Sequence, residues 1–144
     1  MLSAAFDPLL LSRIEDAGLN ASAPPQQRWL DGWLLRFSPG KAKRARCVNA
    51  VAIGRQSVAD RLAQCEAVFA AEHLPMIVRI TPFTVPADLD ERLADIGLRR
   101  FDDTRVMVLA DLSRLPDARR DIAGSAQSIA LEPFAQRVGA LRGS

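Results

Sequence analysis

Residues 57–81 constrain this chain more than any other stretch. Val58, Leu62, Cys65 and Phe69 recur at i, i+4, i+7 and i+11, which places them on one face of a helix. Ser57 followed by Asp60 is a capping-box variant at its start. Short apolar runs lie on either side, "RCVNAVAI" at 46–53 and "PMIVRIT" at 75–81, the second rich in β-branched residues. A strand–helix–strand succession closes as a crossover between parallel strands, so the chain must build a sheet with helices packed on it.

The upstream pattern adds a hairpin. "WLDGWLLRF", residues 29–37, reads as a strand with Trp29, Trp33, Leu35 and Phe37 on one face and Leu30 and Leu34 on the other. Pro39-Gly40 turns the chain, and 46–53 returns with Cys47, Asn49, Val51 and Ile53 on one face. Before the hairpin, Asp7-Pro8 opens a helix carrying Leu10, Ile14 and Ala17, with Gly18 as its expected stop. After residue 81, Pro86 begins a helix with Leu89, Leu93 and Ile96 inward and Gly97 at its end. A last strand is expected at 106–109. The order helix, strand, strand, helix, strand, helix, strand predicts an α/β class of fold: a mixed, mainly antiparallel sheet with helices on it.

The 144 residues suit one core. We assign 1–112 to it, and 113–144 to a polar linker and the start of a further segment. In that segment Leu131, Phe134, Val138 and Leu141 fall at helical spacing. No run approaches the ~20 apolar residues of a membrane span, and "MLSAAFDPLLLSR" lacks the basic start of a signal peptide. Both point to a cytoplasmic protein with no membrane partner. The two cysteines, Cys47 and Cys65, fall in apolar patterns and read as reduced, buried thiols. One histidine and two scattered cysteines make a poor zinc site, so no metal is expected. A Cys47–His73 nucleophile pair stands against two packed thiols and a histidine at a helix end. No GxSxG, P-loop or GxGxxG is present, and no catalytic residue is assigned.

Charge is distributed unevenly. The net charge is only +2, yet no acid occurs from Gly32 to Ala59, where Arg36, Lys41, Lys43, Arg44, Arg46 and Arg55 lie. Asp88, Asp90, Glu91, Asp95, Asp102 and Asp103 crowd a later stretch. The basic hairpin tip is either a solvated turn that blunts a sheet edge or a receiver for a small anionic ligand. Nucleic acid is disfavoured, because the aromatic residues sit in the strand and do not interleave with the basic loop. Asn49 is a satisfied core amide or a substrate-facing group, and Arg79 and Thr81 in "IVRIT" pose the same choice. An arginine in a short buried strand needs a carboxylate or a ligand, and Asp31 on the hairpin is one candidate partner for Arg79. Arg44, Arg46, Asn49, Arg79, Thr81 and Trp33 are therefore the substrate- or anion-binding candidates.

The order of elements, with "RLADIGLRRFDDTRVMVLADL" near its end, resembles the GNAT superfamily of acyl-CoA-dependent N-acetyltransferases. "DGWLLRFSPGKAKRARCVNAV", "CEAVF", "IVRITP" and "LDERLADIGLRR" are together similar to the first half of tandem GNAT proteins, over about residues 13–112. The resemblance implies transfer of acetyl from acetyl-CoA to an amine. It also implies a phosphate-binding loop of the form Arg/Gln-x-x-Gly-x-Gly/Ala at a helix N-terminus. No segment matches that loop. "QRVGAL", from Gln136, comes nearest and has Leu141 in place of Gly or Ala. The tyrosine that many members use as general acid has no counterpart, since the chain contains no tyrosine. The expectation is a GNAT-like domain that binds no acyl-CoA itself, the cofactor belonging to an intact two-half protein. The alternative is a non-catalytic module that dimerises or binds a small anion. A homodimer is expected from the unpaired edge of "RVMVLADL", unless the 131–141 stripe covers it.

Overall fold

The computed structural model describes residues 6–40, 42–108 and 128–142. The chain divides into two compact units, Met1–Phe101 and Asp102–Ser144.

In the first unit, helix α1 spans Pro8–Ala21, capped by the Asp7 side chain, which accepts from the Leu9 N–H. It runs past Gly18, the expected stop, to a C-cap at Ser22. Gly18 interrupts nothing because it is exposed and adopts helical backbone, at a cost of about 1 kcal/mol relative to alanine. The stretch read as one strand from Trp29 to Phe37 is two. Strand β1 (Gln27–Leu30) and strand β2 (Trp33–Arg36) form an antiparallel hairpin in which Leu30 opposes Trp33. The Asp31-Gly32 turn between them has φ of 41° and 86°. Positive φ at both central residues is the type I′ condition, which Asp-Gly satisfies. The turn moves Trp29 to the exposed edge strand, 64% accessible, while Trp33 is fully buried.

Strand β3 (Val48–Ala50) pairs antiparallel with β2 and is shorter than the 46–53 run; Ile53 is exposed. A turn of 3-10 helix, Lys43–Ala45, occupies the tip between them. Helix α2 (Val58–Ala71) starts at an Ser57 N-cap, whose Oγ accepts from Asp60 N–H, and its Leu62, Cys65 and Phe69 are buried as the stripe predicts. Strand β4 (Val78–Arg79) then pairs parallel to β3, giving the order β1-β2-β3-β4. Helix α3 (Leu89–Asp95) buries Leu89 and Leu93 and ends at Gly97, φ 88°. Ile96 is exposed, contrary to expectation, since it lies at the C-cap beyond the last full turn.

The core joins Trp33, Leu35, Val48 and Ala50 of the sheet to Leu62, Cys65 and Phe69 of α2 and to Leu89 and Leu93 of α3. The opposite sheet face meets α1. Strand β2 is buried on both faces, which is why its apolar residues do not alternate cleanly.

In the second unit, residues 106–108 form no strand, and Val106 and Met107 are exposed; residue 109 and the segment to 127 lie outside the described residues. Helix α4 spans Leu131–Arg142 and leaves Leu131, Phe134 and Leu141 exposed. No described helix is long and apolar enough to cross a membrane.

Candidate functional site

Register gathers one set of polar side chains beneath α1. Leu34 opposes Asn49, and Asn49 opposes Arg79, so these lie in one row across β2, β3 and β4. Period-two alternation puts Arg36 and Cys47 on the same face. Arg36 is 2% exposed. Its Nη2 donates to Leu19 O at 2.5 Å, and its Nη1 donates to Ser22 O at 3.4 Å and Ser22 Oγ at 3.2 Å. The guanidinium therefore closes the C-terminus of α1, where a cation is favoured by the dipole. Burial lowers its pKa. Arg79 pairs with Glu15 of α1 through two N–H···O bonds, one of them Nη2 to Oε2 at 3.1 Å. That bond raises the Arg79 pKa. The carboxylate partner of Arg79 is thus Glu15 and not Asp31. The pairing crosses from β4 to α1, 64 residues away in the chain, which sequence spacing does not reveal.

Asn49 is 3% exposed and donates through Nδ2 to Leu34 O and to Cys47 O, each at 3.4 Å. Both bonds lie within the buried sheet. Cys47 faces Asn49 Oδ1 and Arg44 O, and burial raises its pKa, the opposite of what an activated nucleophile requires. His73, exposed and with φ of 56°, donates its backbone N–H to Ala70 O at the end of α2. Cys65 is also buried, its thiol pushed up to about 11 by desolvation.

Asp31 belongs to a second cluster, where the β1–β2 turn docks on the loop leading from β3 into α2. Ala52 N–H donates to Gly32 O at 3.0 Å. Asp31 Oδ1 accepts the Arg55 N–H at 3.0 Å, and its Oδ2 accepts the Gln56 N–H at 2.7 Å. These two amide bonds hold the Asp31 carboxyl below its ordinary value, more than the neighbouring Arg55 and Arg61 charges do. Any side chain at Gly32 would strike the Ala52 and Ile53 carbonyls, and one at Gly54 would strike Asp31. Arg61, 4% exposed, stacks 4.4 Å from the Trp33 ring centroid, with its Nε 4.0 Å from Asp31 Oδ2. Sequence reasoning missed Arg61 and the docking role of Asp31. The Asp-Gly dipeptide, a strong hairpin signal, was the available clue.

The remaining candidates lie apart from both clusters. Arg44 is exposed in the 3-10 turn and Arg46 half-buried just after it; Lys43 stands 4.9 Å from the Phe101 ring. Lys41 lies outside the described residues. Thr81 is used locally: its Oγ1 accepts from Phe83 N–H, and its own N–H donates to Thr84 Oγ1. Trp33 faces α2, on the side of the sheet opposite Asn49 and Arg79. An open groove of about 380 Å³ separates α2 from the β1–β2 hairpin, lined by Arg28, Leu30, Phe37, Gln64, Val68 and Glu72 among others. Among the described residues no group of His, Cys, Asp or Glu is arranged to hold a metal ion.

A mixed sheet with an antiparallel β1-β2-β3 meander, a β3–α2–β4 parallel crossover and helices on both faces defines a GNAT-like, acetyltransferase-related domain. Residues 11–133 match the family model described as the C-terminal domain of Rv0428c, a probable histone acetyltransferase, and the chain belongs to that family. No curated protein and no solved structure matches the chain.

Acetyl-CoA is the cofactor this class implies, and the fit can be tested at the helix N-terminus that follows β3. There, the Arg55 and Gln56 amides are bonded to Asp31, the Asp60 amide is bonded to Ser57 Oγ, and the first turn carries the Asp60 carboxylate. A pyrophosphate approaching this turn would find these donors occupied and two carboxylates beside it. The junction does not fit the group.

Proposed function

We propose that this chain is the GNAT-like domain of an N-acetyltransferase that moves acetyl from acetyl-CoA to an amine, and that the acyl-CoA is held by a part of the intact protein other than this domain. Membership of an acetyltransferase-related family supports the reaction class. The observation that carries the second half of the reading is the Asp31 carboxylate bonded to both Arg55 and Gln56 amides. The absence of an Arg/Gln-x-x-Gly-x-Gly/Ala segment agrees with it. The acceptor in this reading is an amine on an anionic molecule, since Arg44 and Arg46 flank Ala45 at the hairpin tip with no acid from Gly32 to Ala59. The family is that of a probable histone acetyltransferase's C-terminal domain. A lysine-rich histone tail would meet like charge at this tip.

Calorimetry of acetyl-CoA against the 144-residue chain tests the proposal. No binding is expected in the micromolar range, and micromolar binding would overturn it. A second reading, a module that pairs with another copy, is favoured by β1. This strand pairs only with β2 among the described residues and exposes Trp29 on an open edge. Light scattering separates the two: a mass of twice 15.7 kDa supports the module, and a constant 15.7 kDa defeats it.

A further inference from the structure

Helix α1 differs from α2 and α3 in what holds it. Helices α2 and α3 each insert buried side chains into the core, whereas no residue of α1 is buried. Two polar clasps fix it instead. Glu15 accepts two N–H···O bonds from Arg79, and Leu19 O and Ser22 accept the Arg36 guanidinium. The sheet face that they reach is itself polar, with Arg36 and Asn49 each no more than 3% exposed. Clasps of this kind release to water without opening the apolar core, so undocking the helix is a local event. The link from α1 to β1 is the short run Ser22-Ala23-Pro24-Pro25-Gln26, and the chain bends at Pro25 and Gln26 to enter the strand. Proline favours an extended path, and straightening that bend carries α1 away from its own sheet. A short hinge beside a detachable element is the arrangement in which two copies of a chain exchange that element.

We propose that two copies of this chain exchange α1, so that Glu15 and the C-terminus of α1 from one copy dock on Arg79 and Arg36 of the other. The occupant is specified by the two arginines. They call for a helix with a carboxylate one turn before a free carbonyl terminus, and Glu15 and Leu19 of α1 have that spacing. Every clasp of the closed chain is remade across the pair, so exchange loses no bond. The surface that forms between the two hinges decides the balance, and it holds Trp29. Register places Trp29 in one row with Leu34, Asn49 and Arg79, on the α1 face of the sheet and on the open edge of β1, where it is 64% exposed. The straightened hinges run directly into the two β1 strands and bring these edges together. Burial of Trp29 there gives the exchanged pair an apolar contact that the closed chain lacks. The inference depends neither on the acetyltransferase reading nor on edge-to-edge pairing of closed chains, in which each α1 stays on its own sheet.

The test mixes two variants of the 144-residue chain. Glu15→Arg and Arg79→Glu each set like charges against one another in the closed chain. Alone, each is expected to have a mass of 15.7 kDa by light scattering, with α1 amides that exchange hydrogen at least about tenfold faster than in the wild type. Mixed in equal amounts, the two chains can set opposite charges together only by trading helices. The mixture is expected to reach twice 15.7 kDa, the mass also expected of the wild type, and to regain the lost α1 protection. A chain carrying both substitutions serves as the control for the reversed pair and should be protected like the wild type. Failure of α1 protection to return on mixing, with that control protected, would overturn the proposal whatever the mass. If the control is not protected, isotope labels decide instead. Labelled and unlabelled Arg79→Lys chains are refolded together and treated with a carbodiimide, which joins the Glu15 carboxylate to the new amine. Linked peptides that pair a labelled with an unlabelled chain are the expected result, and linkage confined to label-pure peptides would refute the exchange.

Discussion

Arg36→Ala should be among the most damaging single changes outside the apolar core. The guanidinium is 2% exposed and carries its charge under α1, because arginine stays protonated at any ordinary pH even when burial lowers its pKa. It makes one short bond to Leu19 O, one of 3.2 Å to Ser22 Oγ and one long bond of 3.4 Å to Ser22 O. Hydrogen bonds to charged groups contribute about 1.5–3 kcal/mol each. The long bond counts for little, and Nε already lacks a partner, so nothing is lost there. Two effects oppose the loss: the buried charge disappears, and the half-buried Leu19 and Ser22 regain some water. The balance is a loss of about 3 kcal/mol, taking about two charged bonds less the recovered solvation. For an ordered unit of this size, that lowers the melting temperature by roughly 12–24 °C. Urea unfolding followed by circular dichroism measures it, with Arg13→Ala on the exposed side of the same helix expected within about 0.5 kcal/mol of wild type. A loss below about 1 kcal/mol for Arg36→Ala would show that water replaces the guanidinium freely and that α1 is not anchored through it.

Asp31 titrates below its ordinary 3.8, so its stabilising contribution is present above that value and disappears as pH falls through the lower folded pKa. Wild type and Asp31→Asn should therefore differ in urea midpoint near neutrality and converge in acid; a constant difference at all pH values would be contrary to this. Cys65, raised to about 11, contributes stability that is intact below 9.0 and lost as pH climbs through about 11. A thiol-reactive disulfide reagent at mildly alkaline pH should label neither cysteine in the native chain and both after unfolding. Acrylamide should quench one tryptophan and spare the other, and Trp29→Phe should leave only blue-shifted, protected emission from Trp33. Equal quenching of both would contradict the hairpin at Asp31-Gly32.

The sequence by itself determined the element types wherever a local physical rule had no competitor. Asp7-Pro8 starts α1, Ser57 caps α2, and the Val58, Leu62, Cys65 and Phe69 stripe faces the core, because each depends on spacing within a few residues. The resemblance to acetyltransferases rested on such local phrases, and the family match covers them. Only the tertiary structure decided which polar groups meet. Arg79 pairs with Glu15 and not with Asp31, Arg36 closes α1 instead of joining the basic surface, and Asn49 is absorbed between Leu34 and Cys47. The single strand expected at 29–37 divides because its apolar run carries no period strong enough to outweigh the Asp-Gly turn. The same turn then delivers the Asp31 carboxylate to amides 24 and 25 residues further along the chain. Hydrophobic period is written locally, but a charge finds its partner across the sheet, where strand register and helix docking set the distance.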